Sequence, residues 1–170
     1  HLKGYTVLNA VTDMTDVYRY TDRFIYVGST QKKGAAIMPE FGNSIVCDQG
    51  FKNVFEDGIP VGFQVRIRIS YYRGIPVSLL EGYEVVVDDE EFTNKDISFS
   101  LDGETFYTME ELGRHPELRW EYGDKAYLHI KKPGGLLRGL HRVKVTQHIN
   151  VPYLPFATGF YQERKMTIVC

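Results

Sequence analysis

The sequence predicts an all-β fold, an antiparallel β-sandwich or jelly roll with one short helix. Three observations carry this. Aromatic residues make up 14% of the 170-residue chain, with twelve Tyr and ten Phe, and such side chains fit a pleated, half-buried surface. Glycines and turn dipeptides recur between short apolar runs, the punctuation of strands rather than helices. Phe63, Val65, Ile67, Ile69 and Tyr71 alternate with Gln64, Arg66, Arg68 and Ser70, a period of two that sends apolar groups to one sheet face and polar groups to the other.

In chain order, residues 17–20 and 24–27 read as strands, and the polar run from Thr30 to Gly34 as a solvated loop. Residues 1–44 are assigned to an N-terminal extension or arm and 45–170 to the sandwich domain, with Met38 before Pro39 as an alternative natural start. Val54 and Phe55 lead through Asp57-Gly58, a strong hairpin signal, into the alternating strand. Residues 83–87 form the next strand, and 97–101 pairs with 104–107 across Asp102-Gly103. Thr108 and Glu111 have capping-box spacing, so a helix of a turn or two runs to Gly113. Ala126, Leu128 and Ile130 mark another strand, broken by Pro133, Gly134 and Gly135 before a strand over 141–151. The prolines of 152–159 forbid ladder pairing there, and 164–169 is the last strand. Eight or nine strands with short turns imply two packed sheets.

The bulk numbers exclude several functions. A formal charge of -2 provides no basic field for a nucleic acid backbone. Cys47 and Cys170 form no CxxC pair, which argues against a zinc ribbon or a disulfide framework and for a reducing cytoplasm. No apolar run approaches the roughly 20 residues that cross a bilayer, and the N-terminus lacks a signal-peptide pattern, although His1 in place of Met leaves the start open to trimming or a tag.

Common catalytic signatures are missing: no HExxH, GxSxG, Walker loop or GxGxxG. His129 takes an outward strand position, and His141 and His148, seven residues apart, lie on opposite faces, so the histidines form no metal triad. The run Asp88, Asp89, Glu90, Glu91 reads as a solvated turn, because acid-base catalysis needs two carboxyl groups facing each other across a cleft. Gly134-Gly135 reads as a plain turn. Gln147, interrupting the apolar series Val143, Val145, Ile149, reads as a core amide with a partner. On a strand Arg119 and Glu121 share one face while Trp120 and Tyr122 share the other; Trp120 reads first as core, then as a sugar or aglycone contact. The expected docking rim lies at the end of the long strand, where Tyr71 and Tyr72 point to opposite faces and Arg73 precedes Gly74.

Together, the block Tyr72, Arg73, Gly74, Ile75, Pro76, Val77, Ser78, then Asp88, then Tyr107, Thr108 and Glu111, then Arg119, Trp120, Glu121, then Pro133, Gly134, Gly135, Leu136 with Gly139, His141 and Val143 resembles the small β subunit of bacterial C-glycoside deglycosidases. The resemblance runs over about 45–169. It implies a β-sandwich partner, itself without catalytic or metal-binding residues, in a heteromeric lyase. That enzyme cleaves the C–C bond between a 3-oxo sugar and a flavonoid or isoflavonoid aglycone. The α subunit of such enzymes is a TIM barrel that binds a divalent metal, often manganese (Mn2+), and carries the acid-base chemistry. Oxidation at the sugar C3 acidifies the C2 proton, so a base can remove it and the aglycone can leave as a stabilised carbanion or phenol tautomer. On this reading Arg68, Tyr71, Tyr72, Arg73, Tyr153 and Phe156 form the partner interface or a wall of the substrate site. The alternative is a stand-alone carbohydrate-binding sandwich using Trp120 and Tyr127 as exposed platforms; a cupin-like lyase, which needs inward His and Glu ligands, fits least well.

Overall fold

The alternating segments fold as two five-stranded sheets facing each other over one apolar core. A computed structural model describes residues 17–20, 23–26, 36–39, 44–150 and 158–169. Its strands are β1 (Val17–Tyr20), β2 (Arg23–Tyr26), β3 (Ala36–Pro39), β4 (Lys52–Glu56), β5 (Ile59–Arg68), β6 (Ile75–Pro76) and β7 (Leu80–Val87). They continue with β8 (Glu90–Phe92), β9 (Ile97–Ser100), β10 (Tyr107–Thr108), β11 (Arg119–Trp120), β12 (Lys125–Lys131), β13 (Gly139–Ile149) and β14 (Thr158–Ile168). The helix α1 (Met109–Leu112) has the expected capping box, with Thr108 and Glu111 satisfying each other's backbone N–H groups.

The first sheet has the order β10-β9-β12-β5-β4 and the second β3-β14-β13-β7-β8; β1-β2 and β11-β6 are two-stranded satellites. All neighbours are antiparallel except β3, which runs parallel to β14. The fold class is therefore the all-β sandwich expected, with one short helix. Phe63, Val65 and Ile67 on β5 are fully buried, as are Val143 and Val145 on β13. Rings join the sheets: Tyr83 on β7 stacks on Phe99 of β9 at 6.2 Å, and Phe63 meets Phe92 of β8 edge-on at 5.3 Å. The segment before β4 bridges them as well, since Val46 pairs with Ile67 while its N–H donates to Gln162 Oε1 on β14 at 2.7 Å.

Several expected boundaries move, each for a local reason. The first hairpin turns at Asp57-Gly58 as read, both residues with positive φ (50° and 79°). The second is wider than two residues. The Asp102 carboxylate accepts from the N–H groups of Glu104 and Thr105 and from Ser100 Oγ, winding 101–105 into a bend and leaving only Tyr107–Thr108 to pair with β9. The last strand begins at Thr158, six residues before the expected 164, because it pairs with β13 along its whole length. Its polar run Gln162-Glu163-Arg164-Lys165 hides the period. The strand over 141–151 instead spans Gly139–Ile149. Among the described residues no helix is long and apolar enough to cross a membrane.

Gly62 on β5 shows how tightly the first sheet is built: a Cβ there would lie 2.1 Å from the Ile130 carbonyl oxygen of β12. Gly62→Ala should destabilise the chain by about 3 kcal/mol or more. Gly113→Ala, with right-handed helical φ and its nearest atom 3.5 Å away, should cost little. Urea unfolding of the two variants checks the contrast; equal midpoints would show that β5 and β12 separate easily.

Candidate functional site

The rim grows from the end of β5. The strand stops at Arg68, and the chain bends through 70–73. Ser70 is fixed at the bend: its N–H donates to Gln147 Oε1 at 2.8 Å, its hydroxyl donates to the same oxygen, and Gln147 Nε2 donates to the Tyr83 hydroxyl at 2.9 Å. Gln147 is wholly buried, so it is the partnered core amide expected. Burial pushes the Tyr83 phenol well above its ordinary range, against the opposing hydrogen bond from Gln147, and keeps it neutral.

Beyond that anchor the structure corrects the expected geometry. Tyr71 and Tyr72 do not point to opposite faces. Their rings lie 4.4 Å apart, tilted by 50°, and the Arg73 guanidinium sits 5.9 Å and 5.5 Å from the two ring centres. Strand alternation ended three residues earlier, and in the bend both rings gather under one cation. Tyr72 is 65% exposed and Arg73 is exposed as well, whereas the Tyr71 hydroxyl is buried without a hydrogen-bond partner among the described residues. Arg68 is exposed on the outer face of β5, directly opposite Lys125. Tyr153 and Phe156 lie outside the described residues.

The next block is joined to the rim physically. Ile75 on β6 pairs with Trp120 on β11. At Gly74 a Cβ would lie 3.0 Å from the Trp120 carbonyl oxygen and 3.1 Å from Glu121 Cα, so the two segments close tightly there and a side chain would make them give by a few tenths of an ångström. Trp120 is 0% exposed; its indole N–H donates to the Asp124 carbonyl and its ring meets Phe99 edge-on at 5.3 Å. It is a core residue and presents no face to a sugar or aglycone. Tyr122 does not share its face. The chain turns after Glu121, and Tyr122 is 54% exposed. Arg119 and Glu121 do share a side, as an ion pair at 3.1 Å.

The remaining blocks meet elsewhere. Asp88, at the β7–β8 turn with φ 56°, accepts from His141 Nδ1 at 2.8 Å and from the Arg142 N–H at 3.0 Å. Asp89 pairs with Arg142 and Glu90 with Lys132, and all four acids stay exposed, so the turn is solvated as expected while three of its carboxylates also touch basic side chains. Asp88 and Asp89 share Arg142, through its N–H and its guanidinium, while Glu90 turns to Lys132. Gly134 and Gly135 form a turn pinned by Asn53, whose side chain bonds both the N–H and the C=O of Leu136. His129 points outward but is covered. It stacks on Phe106 at 3.6 Å and bonds Gln64 Oε1 at 3.0 Å, and burial, helped by Lys52, pulls its pKa down to about 4. The sequence concealed this cover, because Phe106 lies in the wide loop around Asp102. Among the described residues no three His, Cys, Asp or Glu side chains gather as a metal site, so they offer no ligand set for the divalent metal that the resemblance implies.

A β-sandwich with one built aromatic and arginine rim is the class of protein these features define. Residues 41–153 match the family model for the C-glycoside deglycosidase beta subunit, and the chain belongs to that family. It is 30% identical over 112 residues to a C-glycoside deglycosidase beta subunit of Eubacterium cellulosolvens, covering 65% of this chain and 76% of that protein. It is 33% identical over 98 residues to a 3'-dehydrocarminate deglycosidase beta subunit of a Microbacterium species, covering 56% and 71% respectively.

The Asp88–His141 contact joins two of the resembling blocks and sets a pH dependence. Burial alone would lower the His141 pKa, but the hydrogen bonds to Asp88 and the Leu137 carbonyl outweigh it and raise it above the ordinary 6.5. The His141 bond, then that from the Arg142 N–H, holds Asp88 below its ordinary 3.8. The histidine's contribution to stability is complete below pH 6.5 and fades as pH rises through its raised pKa. That of the aspartate is complete above pH 3.8 and fades as pH falls through its lowered one. The excess Tm of the native chain over Asp88→Asn should therefore be greatest between those limits and shrink in alkali. A Tm difference that stays flat from about pH 5 to 9 would contradict the pairing.

Proposed function

We propose that this chain is the small, non-catalytic β subunit of a heteromeric C-glycoside deglycosidase, working in the cytoplasm with a TIM-barrel α subunit. The enzyme cleaves the C–C bond between a 3-oxo sugar and an aromatic, flavonoid-type aglycone. The α subunit supplies the base and the divalent metal, which polarises the oxidised sugar when bound. Membership of the beta-subunit family supports the class of assembly. The observation that carries the role of this chain is the rim: exposed Tyr72 and Arg73 held in one stack on a bend that a buried amide anchors.

Arginine and tyrosine on a rigid support are what strong interface contacts are made of, since little side-chain freedom remains to be lost on docking. Arg73 makes no ion pair among the described residues, so its guanidinium can still pair with a carboxylate or lie on a ring of the partner. Arg68 extends the same surface along β5. In this role the rim braces the active-site loops of the α subunit and keeps water from the reacting sugar. The stand-alone carbohydrate module loses its main platform with the burial of Trp120, and Tyr127 is partly covered with the Arg66 guanidinium 5.5 Å above its ring.

The chain should copurify with a TIM-barrel protein, and Arg73→Ala should weaken that complex at least about ten-fold and lower its turnover in proportion. Arg73 lies outside the Ser70–Gln147 anchor, so the variant should keep its unfolding midpoint. Unchanged affinity and turnover would remove Arg73 from the interface, and an active monomer would overturn the subunit reading.

A further inference from the structure

An open hollow of about 340 Å³ lies on the outer face of the first sheet, lined by Arg66, Arg119, Lys125, Asp124 and Tyr127 with Leu101 and Gly123. Its charges are unevenly satisfied. Arg119 is paired with Glu121. Among the described residues Arg66 and Lys125 have no ion pair within 4 Å, and Asp124 reaches neither of them. Lys125 lies directly across the ladder from Arg68, and Tyr127 across from Arg66. Like charges facing each other across two strands repel unless an anion lies between them.

Arg66 is the key to this surface because packing holds it in place without any anion. Its stem rests under Gly50, whose φ is 91° and where a Cβ would fall 3.0 Å from both Arg66 Cβ and Cδ. The Gly50 carbonyl is itself fixed by Gln64 Nε2 at 3.0 Å. The guanidinium lies 5.5 Å over the Tyr127 ring, and that ring is backed by Gly103, where a Cβ would come within 3.1 Å of it. Arg66 Nε is buried with no hydrogen-bond partner among the described residues. Burial puts Nε out of reach of a ligand, so an oxyanion is met by the fork of the terminal Nη–H groups, whose direction this packing fixes.

We propose that this hollow binds a small oxyanion, a carboxylate or a phosphate, with Arg66 as its principal ligand and Lys125 as the second cation. The proposal does not rest on the assembly assigned to the Tyr72–Arg73 rim, although Lys125 faces Arg68 of that surface across the ladder. The hollow is open to solvent and of the volume a small organic anion fills, and Asp124 in its lining disfavours ligands with a second negative charge on that side.

Titration of the whole chain with sodium benzoate and, separately, inorganic phosphate, followed by amide NMR at constant ionic strength, tests the proposal. Saturable shifts centred on Arg66, Lys125 and Tyr127 are expected, with a dissociation constant of about 1 mM for the better probe. Tighter binding of benzoate assigns the site to carboxylates, and tighter binding of phosphate to phosphates. Arg66→Met keeps the stem packed against Gly50 and should weaken binding at least ten-fold. Lys125→Met should weaken it too, which preserves the test if the first variant folds poorly. Lys144→Met, on β13 of the other sheet, should leave binding unchanged. Absence of saturation with both probes, or equal loss in the Lys144 variant, would overturn the proposal.

Discussion

The buried side chain of Gln147 is the contact on which the arrangement of the rim depends. It sits on the central strand β13 of one sheet, where an apolar residue would have sufficed to fill the core. Instead its oxygen takes both donors of Ser70, at the point where β5 of the other sheet ends, and its nitrogen reaches Tyr83. Tyr83 in turn stacks on Phe99, which touches Trp120. One amide thus links the end of the long strand, the inter-sheet rings and the β11 segment against which Gly74 closes. Were either end of this chain of contacts removed, a buried polar group would be left unpaired at a cost of about 1–3 kcal/mol. That cost fixes the direction in which the chain leaves the sandwich after Ile69.

The same logic explains what the resembling blocks are for. The block around Arg73 and the block around Trp120 meet through the Ile75–Trp120 pair, and the tight space at Gly74 is a consequence of that meeting. Asp88 and His141 belong to a second meeting, between the β7–β8 turn and the start of β13. Thr108 and Glu111 close a helix cap. Most of these residues are therefore joints between elements, and the side chains that reach outward from them, Tyr72 and Arg73, are few.

The sandwich was legible because β5, β7, β12 and β13 are long enough for alternation to show, and because Asp57-Gly58 and the Thr108–Glu111 cap are local signals that need no tertiary context. The short strands β6, β8, β10 and β11 were not legible; two or three residues carry no period. The early start of β14 was hidden by its polar run, half of which is held by distant partners such as Val46 and Asp48. At the site, the opposite-face expectation for Tyr71 and Tyr72 failed because the two-residue period does not extend past Arg68, where the strand ends. Trp120 shows the opposite limit. Its burial follows from the β6–β11 pairing, which links residues more than forty positions apart in sequence.

Charge is distributed in a way that composition alone conceals. The net charge is close to neutral, yet three exposed acids of the β7–β8 turn lie against His141, Arg142 and Lys132. The cations on the outer face of β5 and β12 and at the bend beyond are left without such partners among the described residues. Their positions are set by packing: Arg66 by Gly50 and Tyr127, Arg73 by its two tyrosines. A cation oriented by apolar contacts keeps its hydrogen-bonding edge free, whereas one oriented by a carboxylate has already spent it. The β7–β8 turn thus pairs its acids with cations, while among the described residues directed positive charge is kept along one strand and its end, open to an anion or a ring.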